Sequence, residues 1–157
     1  MAGQRREKRG MRHSRVPWVT KLRPDLEPKL VPNPYGAGYM LVPTPLVVAE
    51  ELRKVRRGGL VTPAHLRERL AKRFGAAMTC PLTTGIFINI LAGAAEEDLA
   101  AGRRVTAPYW RVVDDQCRLS EKTPPGPVRQ AARLRSEGHR VVKRGGRWQV
   151  ALPSSDK

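Results

Sequence analysis

The sequence is poor in the side chains that build metal centres, disulfide frameworks and redox sites. Its 157 residues hold only two cysteines, Cys80 and Cys117, and three histidines. The cysteines lack CxxC spacing, which argues against a disulfide scaffold and a zinc site and fits a reducing compartment. Three scattered histidines supply few ligands, so neither a metal nor a cofactor is expected. Long apolar runs are missing too. The longest, Ile86 to Ala95, contains Asn89 and is far shorter than a bilayer span requires. The stretch after the basic N-terminus is interrupted by Arg12, His13, Arg15 and Pro17, so neither a signal peptide nor a membrane partner is expected. The expected location is cytoplasmic, and nucleoid-associated in a bacterium.

Acidic residues are the scarcest class relative to their opposites. Asp and Glu number 14 against 30 Lys and Arg, a formal charge of +16. Arginine cannot discharge at neutral pH, and such an excess attracts a polyanion. The charge is also segregated. Residues 1–49 carry +6, 50–75 carry +5, 76–117 carry −2, 118–148 carry +7, and the last nine are neutral. Arg5, Arg6, Lys8 and Arg9 open a segment without apolar period, expected to be disordered when free and to release counterions when laid on a phosphate backbone.

Prolines recur from Lys21 to Pro45, which predicts extended, irregular chain leading into the domain, docked by Tyr35, Tyr39 and Met40. Thr44-Pro45 and Thr62-Pro63 each read as an N-cap followed by proline at the first helical position. The first helix is expected to end at Gly58-Gly59 and the second at Gly75. Cys80-Pro81 opens a third, closed by Glu96, Glu97, Asp98 and Gly102. A short helix is predicted from about Val128 to Glu137. His139 to Val142 and Arg147 to Leu152 then flank a Lys143-Arg144-Gly145-Gly146 turn, which reads as a hairpin. The fold class is therefore mainly α with a small β-hairpin, a helix-turn-helix or winged-helix-like domain. The expected boundaries are a basic, proline-rich arm over 1–43, the domain over 44–152 and a tail over 153–157. A monomer is expected.

Three segments carry a resemblance: Gly59-Leu-Val-Thr-Pro-Ala-His-Leu66, Ala107-Pro-Tyr-Trp-Arg-Val-Val113, and Arg129-Gln-Ala-Ala-Arg-Leu-Arg-Ser-Glu-Gly138. In order and spacing they resemble the DNA-binding domain of the O6-alkylguanine-DNA alkyltransferases and the alkyltransferase-like proteins, over a little more than half the chain. The middle segment resembles the family's Pro-Cys-His-Arg-Val active-site motif. Here Tyr109 stands at the nucleophilic cysteine and Trp110 at the activating histidine. A phenol with an ordinary pKa near ~10 does not replace a thiolate at neutral pH. The resemblance therefore implies the non-catalytic branch, in which an aromatic residue lines a pocket for a flipped base, with duplex DNA as partner and alkylated or damaged DNA as what is sensed for repair. A repair protein is the further partner it implies. Pro63 stands where the family has a tyrosine that aids nucleotide rotation, and Pro81 to Ala95 contains neither Lys nor Arg, so the family's base-replacing arginine has no counterpart there.

The residues expected to touch nucleic acid are Tyr109, Trp110 and Arg111 as a pocket, and Thr83 and Thr84 on the third helix. Lys143, Arg144 and Arg147 join them on the hairpin, with Arg5, Arg6, Lys8 and Arg9 in the arm. Tyr109 is expected on the surface, with Trp110 facing a different way. Trp18 and Trp148 offer further stacking surfaces. Two alternatives stay open: an RNA- or ribosome-associated basic protein on the same core, and an enzyme or redox protein acting through Cys80. A thiol at a helix N-terminus has a lowered pKa.

Overall fold

A computed structural model describes residues 16–152. A 3-10 turn at Trp18–Leu22 opens it. Strands β1 (Lys29–Pro32), β2 (Tyr39–Val42) and β3 (Met78–Thr79) form a small sheet in that order, with β1 antiparallel and β3 parallel to β2. Four helices form close to where they are predicted: α1 (Pro45–Arg53), α2 (Pro63–Phe74), α3 (Pro81–Ala100) and α4 (Pro127–Ser136), although α1 stops at Arg53, before the Gly58-Gly59 pair expected to end it. Thr44 accepts from the Val47 N–H (3.2 Å) and Thr62 from the His65 N–H (3.1 Å), so both threonines satisfy a donor that the helix start leaves free. Gly75 ends α2 at φ 68°, a left-handed cap. The β4–β5 hairpin (Arg140–Arg144, Arg147–Ala151) turns through Gly145 and Gly146, both at positive φ, as a two-residue type I′ turn demands. No helix of the described residues is long and apolar enough to cross a membrane.

Residues ahead of position 44 contribute to the core. Leu41 is fully buried, Met40 is 8% exposed, and Leu30 and Leu41 are register partners across β1 and β2. The prolines misled here because Pro32 sits at the end of an edge strand, where its missing N–H is not needed. Tyr35 and Tyr39, expected to dock the segment, are 69% and 57% exposed, and Met40 and Leu41 do that work.

Two buried clusters meet at the middle motif. One joins Leu41, α1, α2 and α3 to Tyr109, and the other joins Val113, Leu119, α4 and the hairpin, with Trp110 packed against both. Hydrogen bonds tie the three motif segments together there. Val61 donates to the Arg111 carbonyl (2.8 Å), and its own carbonyl accepts from Val113 (2.9 Å). The Gln130 amide donates to the carbonyls of Trp110 (3.2 Å) and Val112 (2.9 Å).

Candidate nucleic-acid interface

These bonds place the three segments around one cavity of about 520 Å³, to which they contribute Pro63, Tyr109, Val112, Val113 and Gln130. Helix α3 adds Gly85, Ile88 and Asn89, and the loop after the middle motif adds Ser120, Lys122 and Thr123. Thr123 donates to Asn89 Oδ1 (3.0 Å), which leaves the Asn89 amide N–H groups without a partner among the described residues. The wall therefore combines apolar surface with a few fixed polar atoms, the usual make-up of a small-ligand pocket.

Tyr109 forms its floor and is not a surface residue. It is 1% exposed, packs within the main core, and donates its hydroxyl to Glu96 Oε2 (2.7 Å). Arg133 chelates that carboxylate at 3.0 and 2.6 Å, and Arg129 lies 3.3 Å away. Burial, and then the hydrogen bond to ionised Glu96, push the Tyr109 phenol well above its ordinary range, so it stays protonated and is no nucleophile at neutral pH. Nor does its neighbour supply a base. Trp110 Nε1 donates to Glu137 Oε2 (2.9 Å), and an indole nitrogen accepts no proton. The two rings meet edge to face at 5.4 Å and 82°.

Arg111 leaves the recognition surface as well. Its side chain is 12% exposed and forks onto Glu137 (3.0 and 2.6 Å), while Nη1 donates to the Val55 carbonyl. Bidentate pairing suits a buried guanidinium, and it withdraws Arg111 from any external anion. Thr84 is fully buried and donates to the Cys80 carbonyl (2.7 Å), because it lies on the core side of α3, and half-buried Thr83 bonds the same carbonyl at 3.5 Å. The face of α3 turned to solvent carries Leu82 and Ile86, 70% and 47% exposed. Trp18 is committed elsewhere: it packs on Gly93, and Glu97 accepts the backbone N–H groups of Trp18 and Val19 (2.6 and 2.9 Å).

On the hairpin, Lys143 and Arg144 are exposed and free of carboxylate partners among the described residues, whereas Arg147 pairs with Glu121 at 3.4 Å and donates to the Leu119 carbonyl. Trp148 is half-buried between Arg135 and Lys143. Arg5, Arg6, Lys8 and Arg9 lie outside the described residues. Cys80 is 9% exposed. Burial raises its thiol pKa, and hydrogen bonds from Thr83 and the first N–H groups of α3 overcome that and hold it below the usual value.

Most carboxylates are engaged within the fold. Eight of the twelve in residues 16–152 pair with cations, yet fourteen of the twenty-three Lys and Arg residues there have no carboxylate partner among the described residues. Sequence reading found Gln130 and Glu137 as motif letters without a role. Glu96 was read only as part of the acidic close of the third helix and Thr123 was passed over; both acquire meaning only when α3 meets Tyr109 and the loop.

No protein-family model and no curated protein matches the chain. Among solved structures, it is similar to S. pombe ATL in complex with DNA, at 19% identity and TM-score 0.48, over 68% of this chain and 86% of that one. It is also similar to S. pombe Atl1 in complex with damaged DNA containing O6-carboxymethylguanine, at 20% identity and TM-score 0.47, over 69% of this chain and 89% of that one.

Proposed function

We propose that this chain is a non-catalytic DNA-binding protein of the alkyltransferase-like kind. It holds duplex DNA by its backbone and receives an altered base, turned out of the stack, in the cavity above Tyr109. The observation that carries this reading is the convergence of all three motif segments on one cavity whose central phenol is buried, protonated and hydrogen-bonded to Glu96, with an indole where the family has its activating histidine. Extruded bases are read by their hydrogen-bonding edge and by contact with apolar walls. Asn89 and Ser120 stand ready for the edge, with Ile88, Val112 and Val113 for the faces. Lys143, Arg144 and the arm residues Arg5, Arg6, Lys8 and Arg9 supply phosphate contacts, which position without reading sequence.

A competition among plain duplex, O6-alkylguanine duplex, single strand and RNA tests the reading. The alkylated duplex is expected to win, and the protein's mass is expected to stay unchanged after incubation with it. Preference for structured RNA would move the protein to the RNA class. Gain of one alkyl group at Cys80 or Cys117 would make it an enzyme.

A further inference from the structure

The middle motif has a second side. Pro108, Trp110 and Arg111, which flank Tyr109 but do not line the cavity, line an open groove of about 850 Å³ that shares no lining residue with it. Its walls carry Arg53, Arg57 and Arg104, all exposed and none paired with a carboxylate among the described residues. Glu137 is the acid in the groove, and its two oxygens already accept from Arg111, Trp110 and the Gly58 N–H. Arg111 balances its charge, so the three outer guanidiniums stand uncompensated.

Two of them are held in place. Arg53 Nε donates to the Thr106 carbonyl and Arg57 Nη2 to the Ser136 carbonyl, each at 2.7 Å. One N–H of each thus fixes the planar group, and the others have no partner among the described residues. A guanidinium anchored at one corner has already lost much of its rotamer freedom, so less is lost when it binds. The groove uses arginine throughout and no lysine, the choice that suits forked contacts to phosphate oxygens.

We propose that the Arg53–Arg57–Arg104 groove is a second phosphate-binding surface that grips the sugar–phosphate backbone of another nucleic-acid segment, so that one molecule joins two duplexes. An acidic peptide is the weaker fit, because peptide docking relies on a buried apolar anchor, and Trp110 is already packed into both cores with its N–H engaged. This inference shares only its ligand class with the cavity reading.

Energy transfer between donor-labelled and acceptor-labelled duplexes, mixed with the full chain, tests it. The wild type is expected to bring the two labels together. Arg53→Gln/Arg57→Gln/Arg104→Gln alters exposed side chains only and keeps a neutral donor at each position. It is expected to abolish transfer while the protein still melts normally and still binds a single duplex. Arg104→Gln alone should make the salt dependence of the joining step shallower by ~0.9, the value for one phosphate contact. Absence of transfer with a wild type that binds single duplexes would overturn the inference and leave the cavity reading standing. Transfer that persists in the folded triple variant would overturn it too. An oligoglutamate peptide that binds the wild type but not the triple variant, with no transfer, would assign the groove to a protein partner instead. Failure to bind any duplex would overturn the cavity reading and this inference together.

Discussion

Glu137 ties the middle motif to both flanking segments. Its side chain is 3% exposed, fixes Trp110 and Arg111, and accepts from Gly58, so it ties α4 to two preceding segments. Burial works against its ionisation, but the Arg111 fork, Trp110 and Gly58 outweigh that and hold its pKa below the usual carboxylate range. A depressed folded pKa contributes stability that is present above the unfolded value of ~4.3 and lost as pH falls through the folded value. Glu137→Gln should therefore flatten the acid side of the stability profile. It should also lower stability at pH 7 by ~3–5 kcal/mol, because Arg111 is left buried without its partner. Urea denaturation of both proteins from pH 3 to 7 checks this, and an unchanged acid limb would show that Glu137 is not the residue responsible. The sequence marked Glu137 as a motif letter only. What it binds depends on a turn 79 residues away in the chain, and no local pattern encodes that.

Among the elements, helix α3 binds the N-terminal segment to the domain. At Gly93 an added Cβ would lie 2.2–2.4 Å from three atoms of the Trp18 ring, too close for any accommodation short of moving the indole. Gly93→Ala should favour the isolated helix by ~1 kcal/mol yet expel the Trp18–Leu22 turn from it. The expected result is a solvent-exposed Trp18 fluorescence signal and fast amide exchange at Trp18 and Val19, whose N–H groups Glu97 now holds. A buried Trp18 signal in the variant would show that the turn shifts along the helix instead. The same elements show what was readable beforehand. The four helices, the hairpin and the caps at Thr44 and Thr62 follow from threonine–proline pairs, glycine stops and apolar spacing, all local signals. The β1–β2–β3 sheet was hidden by its prolines, and its β2–β3 pairing joins Met40 to Met78 and Leu41 to Thr79, a long-range contact with no local trace. Tyr109 was misplaced for a related reason: its burial depends on Glu96 and Arg133 from two other helices.

At the scale of the whole molecule, charge is divided between structure and surface. The carboxylates lock elements together, as Glu96 does for α3 and α4 and Glu51 for α1 and α2, where it takes Arg73 at 3.0 Å. The unpaired cations are left to solvent, and the sequence carries further ones before residue 16. Deleting residues 1–15 removes Arg5, Arg6, Lys8, Arg9, Arg12 and Arg15 against Glu7 alone. The plot of log affinity against log salt for a single duplex should become shallower by ~0.9 for every phosphate the arm neutralises, up to ~5 if all six cations engage. Six separate contacts on a duplex that carries one charge per ~1.7 Å of axis need no special register, so the effect should be the same for any base sequence. A truncated protein with the full slope would mean that the arm never meets the backbone. The groove, the hairpin and the cavity rim would then account for all of the electrostatic affinity.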